Sequence, residues 1–433
     1  MTKQTAQTLK GFRDFLPEEN RQRQYVADKI KEVFEIYGFV ALQTPTLEYA
    51  SLLLGKYGDE ADKLVYTFAD RGGRQVGLRY DQTVPTARVL SQYQNELPKY
   101  FRRYQIQNVF RADKPQKGRY REFTQCDCDI FGSTSPLADA ELLATIDAVF
   151  KNLGFTSIRI EFNDRALLIE NLNPFTNEKV DVYSIIQSID KLDKQSPEEV
   201  IEELVDKGLK RQEAEAVLSK IDKIDISLNL KQIVQKSLEL GVAPETLVFN
   251  PKLARGLDYY TGLIFEVKLD DGANRVSSTG LTGPRSVALG GGGRYDQLIE
   301  DLSGYKMPAV GVGLGFDRIV ETCAQLGLIK DSPIGATAML SFFENENCQN
   351  QALSLAKELR QAKIKTELFP TTDKLGKQFK VAQQKQIPFV IVVGEDEIQA
   401  KKFTLKNMNS GEQELLSVES IKQKLLAFST SLL

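Results

Sequence analysis

Between Tyr120 and Phe131 the chain alternates residue by residue, and this alternation constrains the fold more than any other stretch. Phe123, Gln125, Asp127 and Asp129 fall on one face of such a strand, and Thr124, Cys126, Cys128 and Ile130 on the other. One face is therefore polar and acidic inside what should be a sheet. A strand over Gln107 to Arg111 precedes it across a turn from Pro115 to Gly118, where proline fixes φ and glycine tolerates positive values. The segment from Phe110 to Gly132 sets Arg111, Lys114, Lys117, Arg119 and Arg121 against Asp113, Glu122, Asp127 and Asp129. For a charged hairpin the plain expectation is a solvated sheet edge with cross-strand ion pairs. Two later stretches argue for a binding site instead.

At 433 residues the chain exceeds what one hydrophobic core supports, so two or three domains are expected. A net charge of −3 argues against binding nucleic acid through bulk charge; any polyanion must be met locally. No apolar run approaches the roughly 20 residues that span a bilayer, and the polar start MTKQTAQTLKGFRD lacks a signal-peptide core, so a cytoplasmic protein without membrane contact is expected. Cysteines at 126, 128, 323 and 348 have neither disulfide nor zinc spacing and read as free buried thiols, and no metal-ligating residues are assigned. Histidine is absent altogether. That excludes a Ser-His-Asp triad, an imidazole base and any His-bearing metal site, and leaves catalysis to Arg, Lys, carboxylates or a substrate that brings its own base.

Along the chain, helical spacing predicts a helix from Glu18 to Tyr37 with Gly38 as its C-cap, then an edge strand Phe39 to Leu42 ending at Thr44-Pro45. Leu64 to Asp81 reads as a hairpin about Asp70-Arg71-Gly72-Gly73, Pro85 to Gln94 as a short helix, and Ser135 to Leu153 as an amphipathic one. From Asn173 to about Gly241 the pattern turns to Lys- and Glu-rich helices, an insertion between two halves of a sheet domain. Strands return at Leu247 to Asn250 and Thr261 to Lys268, Thr279 to Gly293 reads as a glycine-rich loop, and GVGLG (311–315) leads into a helix near Phe316. After Asp331-Ser-Pro333 strands and helices alternate as a separate α/β unit with its own parallel sheet, closed by a hairpin about Asn407 to Gly411 and a helix from Val418. The expected organisation is 1–172 and 242–330 as two parts of one catalytic domain, 173–241 as the insertion, and 331–433 as the α/β domain.

Arg111, Arg255 and Arg318 stand outside any helical charge run, beside glycine or tyrosine: RGLDYY (255–260), GGGGRYD (290–296) and GVGLGFDR (311–318). Planar guanidinium groups suit a triphosphate, and no P-loop motif occurs to do that work. Asp81 and Asp129, with Thr83 and Gln125, supply acceptors for a cationic group such as an α-amine. The chemistry implied is phosphoryl or nucleotidyl transfer onto a small amino compound.

FRADKPQKGRYREFTQ resembles the second signature motif of the class II aminoacyl-tRNA synthetases, GVGLGFDRI the third, and the region around Pro45 the first. RGLDYYTGLIFEV and GGGGRYD are similar to the two stretches particular to histidyl-tRNA synthetases, and GFRDFLP and KLGKQFKVAQQKQIPFVIVVGEDE also resemble that family. The resemblance implies an α+β catalytic domain on a six-stranded antiparallel sheet, a helical insertion, a C-terminal α/β anticodon-binding domain and a homodimer. It implies a ligase that binds ATP with Mg2+, L-histidine and tRNA(His). Residue by residue, it gives Arg255 and Arg111 to catalysis, Arg111 also gripping the ATP α-phosphate and the substrate carboxylate. Arg318 would hold the distal phosphates, with Asp113 and Arg119 bordering the adenine and the tRNA end; Asp113 keeps a carboxylate where bacterial members commonly carry glutamate. Asp81, Thr83 and Gln125 would bind the α-amino group, and Asp129 and Tyr260, with Tyr259 and Tyr295, the imidazole. The rival is a histidine-binding regulator of histidine biosynthesis on the same sheet; such paralogues lack the C-terminal domain and erode the arginine motifs that this chain retains.

Overall fold

A computed structural model describes residues 6–55, 63–114, 120–193, 195–254, 259–269, 288–330 and 335–431. Two compact units emerge, Met1–Asp14 with Arg23–Leu328, and Phe15–Gln22 with Ile329–Leu433. The predicted first helix forms at Pro17–Ile36, burying Val26, Ile30, Val33 and Phe34. It stops at Gly38, whose φ of +76° is costly for any residue with a side chain.

The first unit is organised on one sheet. In chain order its strands are β1 (Val40–Ala41), β5 (Phe101–Phe110), β6 (Glu122–Phe131), β7 (Ile158–Asp164), β8 (Leu247–Phe249), β9 (Leu263–Leu269), β10 (Ala288–Arg294) and β11 (Ala309–Leu314); β2 (Leu47–Tyr49), β3 (Thr67–Ala69) and β4 (Gln75–Leu78) form a separate small sheet. The spatial order is β1-β5-β6-β11-β10-β9-β7-β8. The six central strands pair antiparallel, and the short edge strands β1 and β8 add parallel. Alternation in β6 placed its side chains correctly, but the setting is interior: Cys126 and Cys128 are fully buried on one face, and Asp127 and Asp129 are 4% and 5% exposed on the other. A solvated edge hairpin is therefore overturned. All four cysteines are buried and free.

A second correction concerns the glycine run. Ala288–Arg294 is a strand in the middle of the sheet, not part of a loop. A Cβ on Gly292 would fall 2.0 Å from the Gly311 carbonyl oxygen and one on Gly293 2.4 Å from that of Leu263. Neighbouring backbones approach too closely for any other residue.

Helices Val182–Ile189, Pro197–Lys207 and Arg211–Ile221 share one core through Ile185, Ile186, Val200, Leu204 and Val217. That core is continuous with Ile264 of β9 and is packed by Tyr260, so the helical segment supports one wall of the sheet's polar face. The second unit carries β12 (Ala338–Phe342), β13 (Thr366–Leu368), β14 (Phe389–Val393), β15 (Phe403–Asn407) and β16 (Gln413–Leu416) in the order β13-β12-β14-β15-β16. Its sheet is mixed, not wholly parallel. The helical crossovers give parallel β13-β12-β14, whereas the short connection between β15 and β16 permits only antiparallel pairing. No helix among the described residues is long and apolar enough to cross a membrane.

Candidate active site

Register across the central sheet brings side chains far apart in sequence into rows. One row reads Gln105, Asp127, Gly313, Gly291, Glu266, Glu161; the next reads Arg103, Asp129, Gly311, Gly293, Ile264, Asn163. Directly paired residues share a face, so four glycines make a bare floor between a polar wall on β5 and β6 and a second wall on β9 and β7.

The first wall is built around Arg103, whose side chain is 1% exposed. Its Nη2 lies 2.7 Å from Asp129 Oδ2, and the Tyr295 hydroxyl donates to Asp129 Oδ1. Burial raises the Asp129 carboxyl, while Arg103 and the Tyr295 hydrogen bond oppose that rise. Tyr295 is itself placed by its neighbour Arg294, which clasps Asp139 at 2.7 and 3.0 Å and donates to the Ser133 carbonyl. The rings of Tyr259 and Tyr260 lie tilted with centroids 4.6 Å apart, with Tyr259 edge-on to Tyr295 at 6.1 Å, and the Tyr260 ring covers Gly293. Burial pushes the Tyr260 phenol up to about 12, so it stays protonated as a donor.

Asp81 precedes the helix Thr83–Gln92 and accepts from the Val84 N–H at 3.1 Å; Thr83 opens that helix. Burial pushes Asp81 up to about 6 against the pull of Val84 and Arg111. Gln82 donates to the carbonyls of Gln107 and Gln125 at 3.0 Å each, locking this helix start onto β5 and β6. Arg111 donates its Nε–H to the Tyr80 carbonyl at 3.0 Å and lies over the Phe123 ring at 5.2 Å. Asp113 offers its carbonyl to Arg121, and Arg318, exposed at the start of the helix Phe316–Gln325, donates to the Ala288 carbonyl at 2.7 Å. Arg119 and Arg255 lie outside the described residues.

Asp81, Arg111, Gln125, Asp129, Tyr259, Tyr260 and Tyr295 thus converge by register, contact or mutual field on the polar face and its rim. Asp129 does make a cross-strand ion pair of the β5–β6 hairpin, but with Arg103, a cation outside the segment from Phe110 to Gly132. Arg103 and Asp127 were not singled out as site residues. Their signal was the alternation of Arg103, Gln105 and Gln107 in β5, which repeats the polar face already seen in β6. Among the described residues no group of three or more carboxylate, thiol or imidazole side chains forms a metal-binding cluster.

Comparison with known proteins now adds descent. The histidyl-tRNA synthetase family model matches residues 11–319 and the anticodon binding domain model residues 333–428. Histidine–tRNA ligases of Wolinella succinogenes and Helicobacter hepaticus are 37% and 38% identical, covering 98% and 94% of this chain and 98% and 96% of their own. The crystal structure of histidyl-tRNA synthetase from Nostoc sp. PCC 7120 superposes with a TM-score of 0.81 at 28% identity, over 97% of this chain and all of that one. With the polar-faced antiparallel sheet, the tyrosine cluster and the second α/β unit all present, the chain belongs to the histidyl-tRNA synthetase family.

Proposed function

We propose that the chain is a histidine–tRNA ligase, which activates L-histidine with ATP and transfers the histidyl group to the 3′ end of tRNA(His). The observation that carries this reading is the Asp129 carboxylate, held between Arg103 and Tyr295 beside Tyr259 and Tyr260 and above a glycine floor. A flat aromatic ring with polar edges fits that slot: the bare glycines accommodate its face, and Asp129 and the tyrosine hydroxyls meet its ring nitrogens.

In the first step the histidine carboxylate attacks the α-phosphorus of ATP in line, and pyrophosphate leaves. The carboxylate is already ionised at neutral pH, so a chain without histidine needs no side-chain base. Arg111, at the rim beside Phe123, holds the α-phosphate and the attacking carboxylate together, and Asp113 and Arg119 border the adenine. Arg318 meets the distal phosphates and Arg255 the charge that develops on the α-phosphoryl group. Asp81, Thr83 and Gln125 receive the α-amino group. In the second step the terminal 3′-hydroxyl of the tRNA attacks the acyl carbon and AMP leaves. Magnesium would enter with the nucleotide as part of that substrate.

The same reading assigns 333–428 to the anticodon, 173–241 to a helical insertion and the enzyme to the cytoplasm. It also makes the protein a homodimer: the edge segment exposes Ile36, Val40, Leu47 and Tyr49, more apolar surface than an edge strand leaves to water. ATP–pyrophosphate exchange with each of the twenty amino acids tests the chemistry. Exchange is expected with histidine alone, and abolished in Arg255→Ala. Histidine binding without exchange would refute it.

A further inference from the structure

Two carboxylates of β6, Asp127 and Asp129, face the glycine floor, yet one guanidinium serves both. Arg103 pairs with Asp129. Asp127 accepts from Gln125 Nε2 through Oδ2 at 2.9 Å, while its Oδ1 has no hydrogen-bond partner among the described residues. That oxygen overhangs the floor, 3.3 Å from where a Cβ on Gly313 would sit. Next to it, Gln125 Oε1 is also buried without a partner among the described residues. A buried carboxylate oxygen left open is unfavourable unless a cation or donor meets it in the working complex. Asp81 lies close enough for its charge to raise Asp127 further.

We propose that Asp127 is the counter-ion of the substrate α-ammonium, its Oδ1 and Gln125 Oε1 taking two of the three N–H donors and Asp81 closing the third side. Asp129, ion-paired with Arg103 and accepting from Tyr295 beside Tyr259, is left to the ring. The assignment rests on the reading of this face as the amino-acid site, and it makes Asp127 a determinant of α-amino-acid recognition as distinct from ring recognition. If Asp127 acted only by steadying Gln125, Asp127→Asn would add no further loss of histidine affinity in a Gln125→Ala background, whereas a direct counter-ion loses affinity there too.

The test compares histidine with 3-(imidazol-4-yl)propionate, which keeps ring and carboxylate and lacks the amine. Asp127→Asn should raise KM for histidine in ATP–pyrophosphate exchange roughly 10- to 100-fold, the range for a hydrogen bond to a charged group. KM for ATP, and the calorimetric affinity for the desamino acid, should stay within about twofold of the parent. Unchanged histidine KM overturns the proposal, as does an equal loss for both ligands, which would mark general collapse of the pocket. If Asp127→Asn fails to fold, Asp127→Ser carries the same comparison. Absence of histidine binding and exchange in the parent enzyme would instead sink the underlying reading, so the two failures are distinguishable.

Discussion

Gly311→Ala probes whether the glycine floor and the Asp129 clamp are one device. A Cβ at Gly311 would stand 1.8 Å from Asp129 Oδ1, 2.8 Å from its Cγ and 3.0 Å from the Tyr295 hydroxyl. The carboxylate would have to retreat by roughly 1 Å or more to reach ordinary contact. It cannot do so freely, because Oδ2 is held 2.7 Å from Arg103, itself buried in the sheet. Overpacking alone costs about 1–3 kcal/mol; losing the Arg103 pairing would bring the cost to the about 3–5 kcal/mol of a broken buried ion pair. Denaturant unfolding should therefore place Gly311→Ala at least about 1 kcal/mol below the parent, with histidine KM raised and ATP KM little changed. Gly313→Ala is the control, since its Cβ would come no nearer than 3.3 Å to any atom, that one being Asp127 Oδ1, and should cost less than about 1 kcal/mol. Parental stability in Gly311→Ala, or equal losses in the two variants, would refute the reasoning.

Two further predictions concern charge. Lys268 Nζ lies 2.8 Å from Glu161 and 3.3 Å from Glu266, the latter fully buried; Lys268→Met should cost about 3–5 kcal/mol at pH 8 by denaturant unfolding, and less at pH 5, where carboxylates that have lost this cation protonate more readily. Burial pushes Asp127 up to about 7 and Asp81 up to about 6. Both values exceed the unfolded one near 4, so on their account the ligand-free fold loses stability as pH rises from about 4 to 7. An ammonium ligand requires the ionised forms, so histidine affinity by calorimetry should weaken as pH falls from 8 to 6. In Asp127→Asn that dependence should flatten, the titration of the ligand's own imidazole being common to both proteins.

How much of this was legible in the sequence depends on whether the information was local. Period-two alternation in β6 put Asp127 and Asp129 on one face because neighbours along a strand decide that. Helix limits at Gly38 and around Pro136 were legible for the same reason: caps act within a turn. The second unit's alternation was visible too, but its last two strands broke the parallel pattern and the helix Glu395–Ala400 was too short to register. What local patterning could not reveal was which strand lies beside which. Arg103 looked like one more charge in FRRYQIQNVF until the register set it opposite Asp129, 26 positions away.

The glycine run carries that argument furthest. GGGG within ALGGGGR has low intrinsic strand preference, since glycine loses the most entropy on ordering and has no side chain to pack. Read locally it is a loop. Its strand conformation is dictated from outside, by β9 and β11, whose carbonyls at Leu263 and Gly311 occupy the space a side chain would need. The arrangement that makes the segment a poor strand by itself is what leaves the floor bare for a ligand. A propensity conflict in the interior of a sheet, flanked by Arg294 and Tyr295 that anchor the wall above it, is therefore a mark of the site, because folding alone would have favoured side chains there.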